Sequence, residues 1–239
     1  MRYLALACDY DGTVARDGVV AEATIEALGR LRCSGRRLIL VTGRELADLQ
    51  RVCPRLDLFD RVVAENGAVL YRPRAGDHQL LTEPPDARLV EALLARHVAP
   101  LAVGQAIIAT RQPNETVVVD LIRELGLELH VVFNKGAVMV LPSGVNKATG
   151  LAVALGELSL SAKDCVGIGD AENDHALLRL CGVAVVVDNA LPAVKERADW
   201  VTEGPDGAGV VELVDRLLAT DLADLAPRSR ISRSTSPAA

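Results

Sequence analysis

An apolar run leads directly into two acidic residues in the segment Leu6-Ala7-Cys8-Asp9-Tyr10-Asp11-Gly12-Thr13. The run predicts a buried strand, and the i, i+2 spacing places the carboxylates of Asp9 and Asp11 on one face of it. Ligands of open α/β sheets bind beyond the carboxyl ends of the strands, where two neighbouring carboxylates repel each other unless a cation joins them. Carboxylate oxygens are suitable ligands for Mg²⁺, although an Asp-Gly pair can also simply form a turn after a strand.

Short apolar runs alternate with longer helical patterns on the rest of the chain. The predicted strands are continuous apolar stretches, such as 38–41 and 183–187, which is typical of strands that are buried on both faces. This alternation indicates a parallel sheet covered by helices on both sides, and we therefore predict a doubly wound α/β core. Its elements are predicted at 3–8, 22–33, 37–42, 45–52 and 61–64, and then at 147–158, 165–169, 174–181, 183–187, 191–198 and 209–219.

The pattern changes between Pro84-Pro85 and Pro142-Ser143-Gly144. The simplest account is a small α+β cap domain at 80–142, inserted between two core segments at 1–79 and 143–225. Within the cap we predict helices at 86–97 and 114–126 and strands at 105–111, 128–133 and 137–141, the last two joined by a hairpin across Asn134-Lys135-Gly136. Residues 226–239 are rich in Ser, Arg and Pro, and this composition predicts a disordered tail.

Composition and charge exclude several classes of function. The 239 residues include 26 Lys and Arg against 32 Asp and Glu, so the net charge of -6 has the wrong sign for a protein that binds nucleic acid through phosphates. Five scattered cysteines without a C-x-x-C pair predict neither a disulfide framework nor a zinc site, and they suit the reducing cytoplasm. No apolar run reaches the roughly 18 to 20 residues of a membrane span, so we expect no membrane partner.

Three further polar clusters follow predicted strands or begin predicted helices. Thr42-Gly43-Arg44 combines a hydroxyl and free backbone N–H groups at a helix start, which suits an anion or an ordinary turn equally. Lys147 begins a helix, where a cation is locally unfavourable, and this favours a charge aimed at a bound anion over a solvated surface lysine. Segment 169–174 (Gly-Asp-Ala-Glu-Asn-Asp) carries four polar groups; Asp170 could cap a helix, but so many oxygen donors suit a metal better.

The four clusters follow one another at strand ends or helix starts, in the order acid pair, Thr, Lys, acid cluster. In this the chain resembles the haloacid dehalogenase-like phosphohydrolase superfamily, and the inserted segment resembles the α+β caps of its Cof-type branch, subfamily IIB. The resemblance covers residues 3 to about 220. It implies a phosphoric monoester hydrolase that acts on a small phosphorylated metabolite, such as a sugar phosphate or phosphoglycolate, through an aspartyl phosphate, and that requires Mg²⁺.

The resemblance also implies a role for each matching residue. Asp9 would be the nucleophile, Asp11 the general acid and base, and Thr42 and Lys147 the groups that hold the phosphoryl oxygens. The metal would be bound by Asp9, Asp11 through its carbonyl, Asp170 and one of Asn173 or Asp174. The substrate would be bound by Thr42, Gly43, Arg44, Asn66, Lys147 and Asn189.

Several residues have features that argue against a role in the site. Asn66 precedes a glycine, and Asn-Gly is also the plainest hairpin signal in the chain. Asn189 follows Asp188, where many Cof-type relatives carry a glycine, and a second acid near a phosphate is unfavourable. In the cap, Asn134, Lys135 and Arg111 could face the crevice, but we favour the alternative that each is a solvated residue of a turn or strand edge.

Two other functions stay open at this point. A phosphomutase of the phosphomannomutase type would share the core and the cap but would return the phosphoryl group to a sugar. A signalling receiver also uses an acidic pocket with Thr and Lys, but it is about half this length and does not carry its acceptor within Asp-x-Asp. We expect a monomer or a homodimer.

Overall fold

The computed structural model describes residues 1–225, so the tail predicted at 226–239 lies outside the described residues. The first part of the chain forms β1 (Ala5–Cys8), α1 (Glu22–Cys33), β2 (Arg37–Val41), α2 (Leu46–Val52), β3 (Arg61–Ala64), β4 (Val69–Arg72) and β5 (Asp77–Leu80). The middle part forms α3 (Ala87–Ala95), β6 (Ala102–Val103), β7 (Ile108–Arg111), α4 (Glu115–Glu124), β8 (Leu129–Asn134) and β9 (Ala137–Pro142). The last part forms α5 (Lys147–Glu157), β10 (Cys165–Gly169), α6 (His175–Leu180), β11 (Val183–Val186), α7 (Pro192–Lys195), β12 (Trp200–Val201) and α8 (Asp206–Thr220).

The core is an eight-stranded sheet in the order β12-β11-β10-β1-β2-β3-β4-β5. The six strands from β12 to β3 are parallel, whereas β4 and β5 are antiparallel additions at one edge. Side chains of β1 alternate between two apolar clusters: Leu6 packs on the side of α1 and α8, and Ala7 on the side of α5 and α6. This confirms the predicted doubly wound parallel core.

The cap is a four-stranded antiparallel sheet in the order β6-β7-β9-β8. Helices α3 and α4 cover one face, where Leu89, Leu93 and Val118 pack against Ile108 of β7 and Val140 of β9. The strands β8 and β9 form the predicted hairpin, with Asn134 opposite Ala137. Its two turn residues, Lys135 and Gly136, both have positive φ, as a tight hairpin turn requires. The other face of the cap sheet is turned toward the core.

Other global features agree with a compact α/β protein. All five cysteines are free, and four of them are buried. Within residues 1–225, no helix is both long and apolar enough to cross a membrane.

Candidate active site

The carboxyl ends of β1 and β10 meet at the centre of the sheet and bring three acids together. One carboxylate oxygen each of Asp9, Asp170 and Asp174 lies within 4.8 Å of the others, and all three residues are buried. The backbone N–H of Asp9 donates to the carbonyl of Ile168, which holds the end of β1 against β10. Parallel neighbours end at the same edge of a sheet, which explains why residues more than 150 positions apart form one cluster.

The Lys147 ammonium lies between two of these acids. Its Nζ donates to Asp9 Oδ1 over 2.5 Å and to Asp174 Oδ1 over 2.6 Å, and the side chain is only 1% exposed. Burial raises the pKa of the Asp9 carboxyl, and the neighbouring Asp174 raises it further. Burial acts to lower the pKa of Lys147, but the Asp174 and Asp9 carboxylates outweigh it and raise that pKa. Lys147 therefore remains a cation at the floor of the site.

The start of α5 fixes the position of Lys147. Asn146 caps the helix: its Oδ1 accepts from the backbone N–H groups of Ala148 and Thr149, and its own N–H donates to Thr149 Oγ1. A Cβ on Gly67 would lie 2.0 Å from the carbonyl oxygen of Asn146, so only glycine allows the chain to pass this close to the helix start. Lys147 is thus presented by a capped, closely packed helix end.

In segment 169–174, the backbone N–H groups that follow β10 donate to the carboxylate of Asp174 and not to that of Asp170. Asp174 Oδ2 accepts from the N–H groups of Asp170 and Ala171, each over 3.0 Å. Asp170 instead accepts from the Thr13 hydroxyl over 3.1 Å and forms a salt bridge with Lys135 of the cap. The alternative that Asp170 caps a helix is therefore wrong, because its carboxylate faces β1 and the cap.

Asp11 lies apart from the acid cluster. Its carboxylate is held by the Arg44 guanidinium in two hydrogen bonds of 2.7 Å, from Nε and Nη2. Arg44 Nη1 also donates to Asp48 over 2.5 Å. The hydrogen bonds to Asp11 raise the pKa of Arg44. Asp9 and Asp11 have different side-chain cations as partners, Lys147 for Asp9 and Arg44 for Asp11. The Mg²⁺ ion expected to join the two residues stays a prediction.

The Thr42-Gly43 turn and Asn66 line the neighbouring strand ends. Thr42 is buried and its Oγ1 accepts from the Arg44 backbone N–H over 3.1 Å, which leaves the hydroxyl proton free to donate. Asn66 has φ of 53° in the turn that connects the antiparallel strands β3 and β4, so it is a hairpin residue as its Asn-Gly sequence suggested. The same turn lies next to the site, so a role there is compatible with it. Its Nδ2 donates to Met139 Sδ of the cap, and its Oδ1 accepts from Asn173 Nδ2.

Asn189 and Asn173 differ in how fully their side chains are hydrogen bonded. Asn189 Nδ2 donates to the Gly12 carbonyl over 2.8 Å, and its Oδ1 accepts from the Asp206 N–H over 2.6 Å. Asn173 Oδ1, by contrast, is buried and has no hydrogen-bond partner in the described part of the chain. Asn189 thus ties two core loops together, whereas Asn173 keeps an oxygen available at the acid cluster.

A cleft of about 1030 Å³ separates the core from the cap above these residues. On its core wall lie Asp9, Asp11, Gly43, Arg44 and Asn189. Its cap wall includes three residues that we favoured from the sequence as solvated turn or strand-edge residues: Arg111, Asn134 and Lys135. That preference is corrected, because all three line the cleft. The cleft has the size of a small-molecule site.

Sequence reasoning missed Glu65, which lies between the core and the cap. It is 1% exposed, and its carboxylate accepts from the backbone N–H groups of Gln105, Ala106 and Ile107 in the cap. A Cβ on Gly104 would lie 2.7 Å from Glu65 Oε2, so the cap loop needs a glycine there. In the sequence, the signal for Glu65 was its position directly before Asn66-Gly67. It was missed because only the Asn-Gly pair was considered there.

Comparison with known proteins agrees with these observations. A family model described as haloacid dehalogenase-like hydrolase matches residues 6–99 and 101–214. The chain is 27% identical over 223 residues to phosphoglycolate phosphatase 2 of Saccharolobus solfataricus, covering 90% of this chain and 93% of that one. It is 32% identical over 219 residues to a phosphoglycolate phosphatase of Haloarcula marismortui, covering 87% of this chain and 95% of that one. A solved subclass IIB sugar phosphatase of the superfamily has the same fold, with a TM-score of 0.73 at 19% identity over 89% of this chain and 98% of that chain.

Proposed function

The chain belongs to the haloacid dehalogenase-like hydrolase family, in its Cof-type branch, and is a phosphatase; from this premise we propose that it hydrolyses a small phosphorylated metabolite through an aspartyl phosphate on Asp9, with Mg²⁺ as cofactor. The observation that carries the proposal is that Asp9, which lines the cleft, is paired with the buried Lys147 ammonium. A phosphate monoester is a dianion that repels a carboxylate nucleophile, so a fixed cation beside that nucleophile is what the reaction needs.

Two transfers of the phosphoryl group complete the reaction. An Asp9 oxygen attacks phosphorus and the bond to the ester oxygen breaks, while protonated Asp11 gives its proton to the departing oxygen. Asp11 then takes a proton from a water molecule, whose oxygen attacks phosphorus and breaks the bond to Asp9. Inorganic phosphate and an alcohol leave, and both aspartates return to their starting states.

The surrounding residues would orient these groups. The Arg44 fork engages both oxygens of the Asp11 carboxylate, so one of its two hydrogen bonds would open when Asp11 takes up the proton that it gives to the leaving oxygen. The other bond would keep the carboxyl group oriented. The free Thr42 proton, the Gly43 backbone and the Lys147 ammonium would bind phosphoryl oxygens. Asn189 lines the cleft and donates to the Gly12 carbonyl in the loop after β1. Asn66 is buried and donates to Met139 of the cap, and both residues would act near the substrate.

The acid cluster suits a divalent cation. Three buried carboxylates within 4.8 Å of one another supply the oxygen ligands that Mg²⁺ prefers, and the unpartnered Asn173 Oδ1 adds a fourth oxygen nearby in the sequence. We propose that Asp9, the Asp11 carbonyl, Asp170 and one of Asn173 or Asp174 hold the ion. When bound, Mg²⁺ supplies positive charge that offsets the repulsion between the substrate phosphate and Asp9.

Phosphoglycolate is the first substrate to test, because the two relatives described above carry that activity in their names. A sugar phosphate is the second, because of the subclass IIB structure. We further propose that 80–142 acts as a cap on a core made of 1–79 and 143–225. Its hinges would lie near 80–84 and 142–145 and would open the cleft to substrate.

The decisive experiment measures phosphate release from phosphoglycolate, a panel of sugar phosphates and nitrophenyl phosphate, with and without Mg²⁺. Wild type should release phosphate only with the metal, and Asp9→Asn should release none although its circular dichroism spectrum is native. In Asp11→Asn, nitrophenyl phosphate should still phosphorylate Asp9, because its leaving group needs no proton. The phosphoenzyme should then accumulate and be visible by mass spectrometry. Release that survives Asp9→Asn would exclude Asp9 as nucleophile.

A further inference from the structure

The two walls of the cleft differ in charge. Among the described residues that line it, the cap wall carries two cations, Arg111 and Lys135, and no acid. The core wall carries more acids than arginines, and each of its three arginines, Arg16, Arg44 and Arg51, is already paired with an acid of that wall. A ligand whose phosphate is held at the core floor therefore meets only positive charge on the opposite side.

Arg111 is directed into the cleft by the pleat of β7. Ile107, Ala109 and Arg111 alternate along the chain and line the cleft, whereas Ile108 between them packs under the cap helices. The neighbour of Arg111 on β9 is Ala137. Small side chains at Ala109 and Ala137 leave space around the guanidinium, so that a ligand group can reach it.

The Arg111 guanidinium is also unengaged. Within residues 1–225 it has neither a hydrogen bond nor an ion pair, unlike Arg44 and Lys135 in the same cleft. Lys135, in the hairpin turn before Ala137, reaches the core and pairs with Asp170. The Lys135 ammonium is therefore already paired with a core acid. On the cap wall, Arg111 is the cation that remains available to bind an anion.

Resting on the proposed phosphatase function, we propose that Arg111, flanked by Lys135, binds a carboxylate of the substrate and makes the enzyme selective for phosphate esters of short hydroxy acids. A guanidinium matches a carboxylate with two parallel N–H donors, which gives both affinity and orientation. Apart from Asn134, the remainder of the cap wall is apolar, so one amide is the main partner that it offers to the several hydroxyls of a sugar.

The test compares phosphoglycolate with 2-hydroxyethyl phosphate, which replaces the carboxylate by an uncharged alcohol of similar size. The variants are Arg111→Gln, Lys135→Gln and, as a matched control, Arg123→Gln on the outer helix α4, where the side chain is 79% exposed. Each substitution removes one positive charge from the cap. The measured quantity is the ratio of kcat/KM for the two esters with Mg²⁺ present.

Wild type should prefer phosphoglycolate, and Arg111→Gln should lower that preference by about 10- to 100-fold, the usual loss for one charged hydrogen-bonded contact. The loss should appear mainly in KM for phosphoglycolate. Lys135→Gln should lower the preference less, and Arg123→Gln should leave it unchanged. If wild type hydrolyses both esters equally, or if Arg111→Gln and Arg123→Gln change the ratio alike, the carboxylate site is excluded while the phosphatase proposal stands. Release from no ester at all would overturn both.

Discussion

The Glu65 carboxylate of the core accepts a hydrogen bond of 2.8 Å from the backbone N–H of Ala106 in the cap. The same carboxylate accepts from the N–H groups of Gln105 and Ile107, so three amides of one cap loop converge on one buried acid. Each of these bonds is strengthened by the negative charge. They join the core to the cap beside the cleft, because Ile107 also lines it.

Glu65→Gln should therefore loosen the cap. Glutamine keeps one acceptor oxygen but turns an NH₂ group toward the converging N–H donors, which leaves at least one of them unpaired. We expect the amides of Gln105, Ala106 and Ile107 to exchange hydrogen about 10- to 100-fold faster, as the loss of one charged hydrogen bond implies. Hydrogen exchange with mass spectrometry measures this directly. Glu91→Gln on the exposed face of α3 is the control. If the amides of Gln105, Ala106 and Ile107 exchanged equally fast in the two variants, the Glu65 carboxylate would not be what protects them.

The sequence predicted the fold because its elements are encoded locally. Apolar runs such as 183–187 are long enough to be recognised alone, and the turn at Lys135-Gly136 has its own composition. The strands β4 and β5 were not predicted, since β5 has the sequence Asp-His-Gln-Leu and pairs only at the sheet edge. Helix α7, expected over 191–198, covers only Pro192–Lys195.

The sequence indicated which residues lie together at the site, but not which basic side chain contacts which acidic one. Residues that follow parallel strands must meet at one edge, so Asp9, Lys147 and Asp170 could be expected to lie together. Which cation binds which acid depends on side-chain reach across 33 or 138 positions of the chain. For this reason the contact between the Arg44 guanidinium and Asp11 was not predicted, and the role of Arg44 toward the substrate stays a prediction.

Arg44→Lys tests whether that fork matters for catalysis. Lysine keeps the charge but cannot make two parallel hydrogen bonds, so Asp11 would lose its fixed orientation. We expect kcat to fall about tenfold or more, with KM and the free energy of unfolding nearly unchanged. Steady-state kinetics and urea unfolding measure the two effects. Arg51→Lys is the matched control, because Arg51 pairs with Asp48 at an exposed position. A similar fall in kcat there would show that the fork on Asp11 is not responsible for the effect.

Asp221 should make stability depend on pH at the acidic end. Burial acts to raise the pKa of its carboxyl, but hydrogen bonds from the Arg2 backbone and the Arg36 guanidinium lower it. A depressed carboxyl pKa stabilises the fold above the ordinary value of about 3.9, and this contribution is lost as the pH falls through the folded-state pKa.

Asp221→Asn should therefore cost about 1 kcal/mol at pH 7, since the side chain is partly exposed and screened. Asparagine tolerates the positive φ of this helix-ending position, so the backbone is not strained by the change. Urea unfolding between pH 7 and pH 3 should show the difference from wild type shrinking as the pH falls. Asp215→Asn, which breaks only the exposed pair with Arg30, is the control. A difference that stays constant with pH would mean that the Asp221 charge is not responsible.

Two glycines of α5 should respond to alanine in opposite directions. A Cβ on Gly150 would lie 2.5 Å from Val63 Cγ1 and 2.6 Å from Gly67 Cα, so the helix must move away from the sheet to accept it. A Cβ on Gly156 meets nothing within 4 Å. Alanine is the better helix former by about 1 kcal/mol, which stabilises Gly156→Ala by about that amount.

In Gly150→Ala the same gain is outweighed by overpacking against backbone that cannot yield, and we expect a net loss of about 2 kcal/mol. Because α5 begins at Lys147, the displacement should also pull the ammonium from Asp9 and lower kcat. Urea unfolding and phosphate release on the two variants decide this. If Gly150→Ala were as stable and as active as Gly156→Ala, the contact between α5 and the 65–67 turn would not be what holds Lys147 in place.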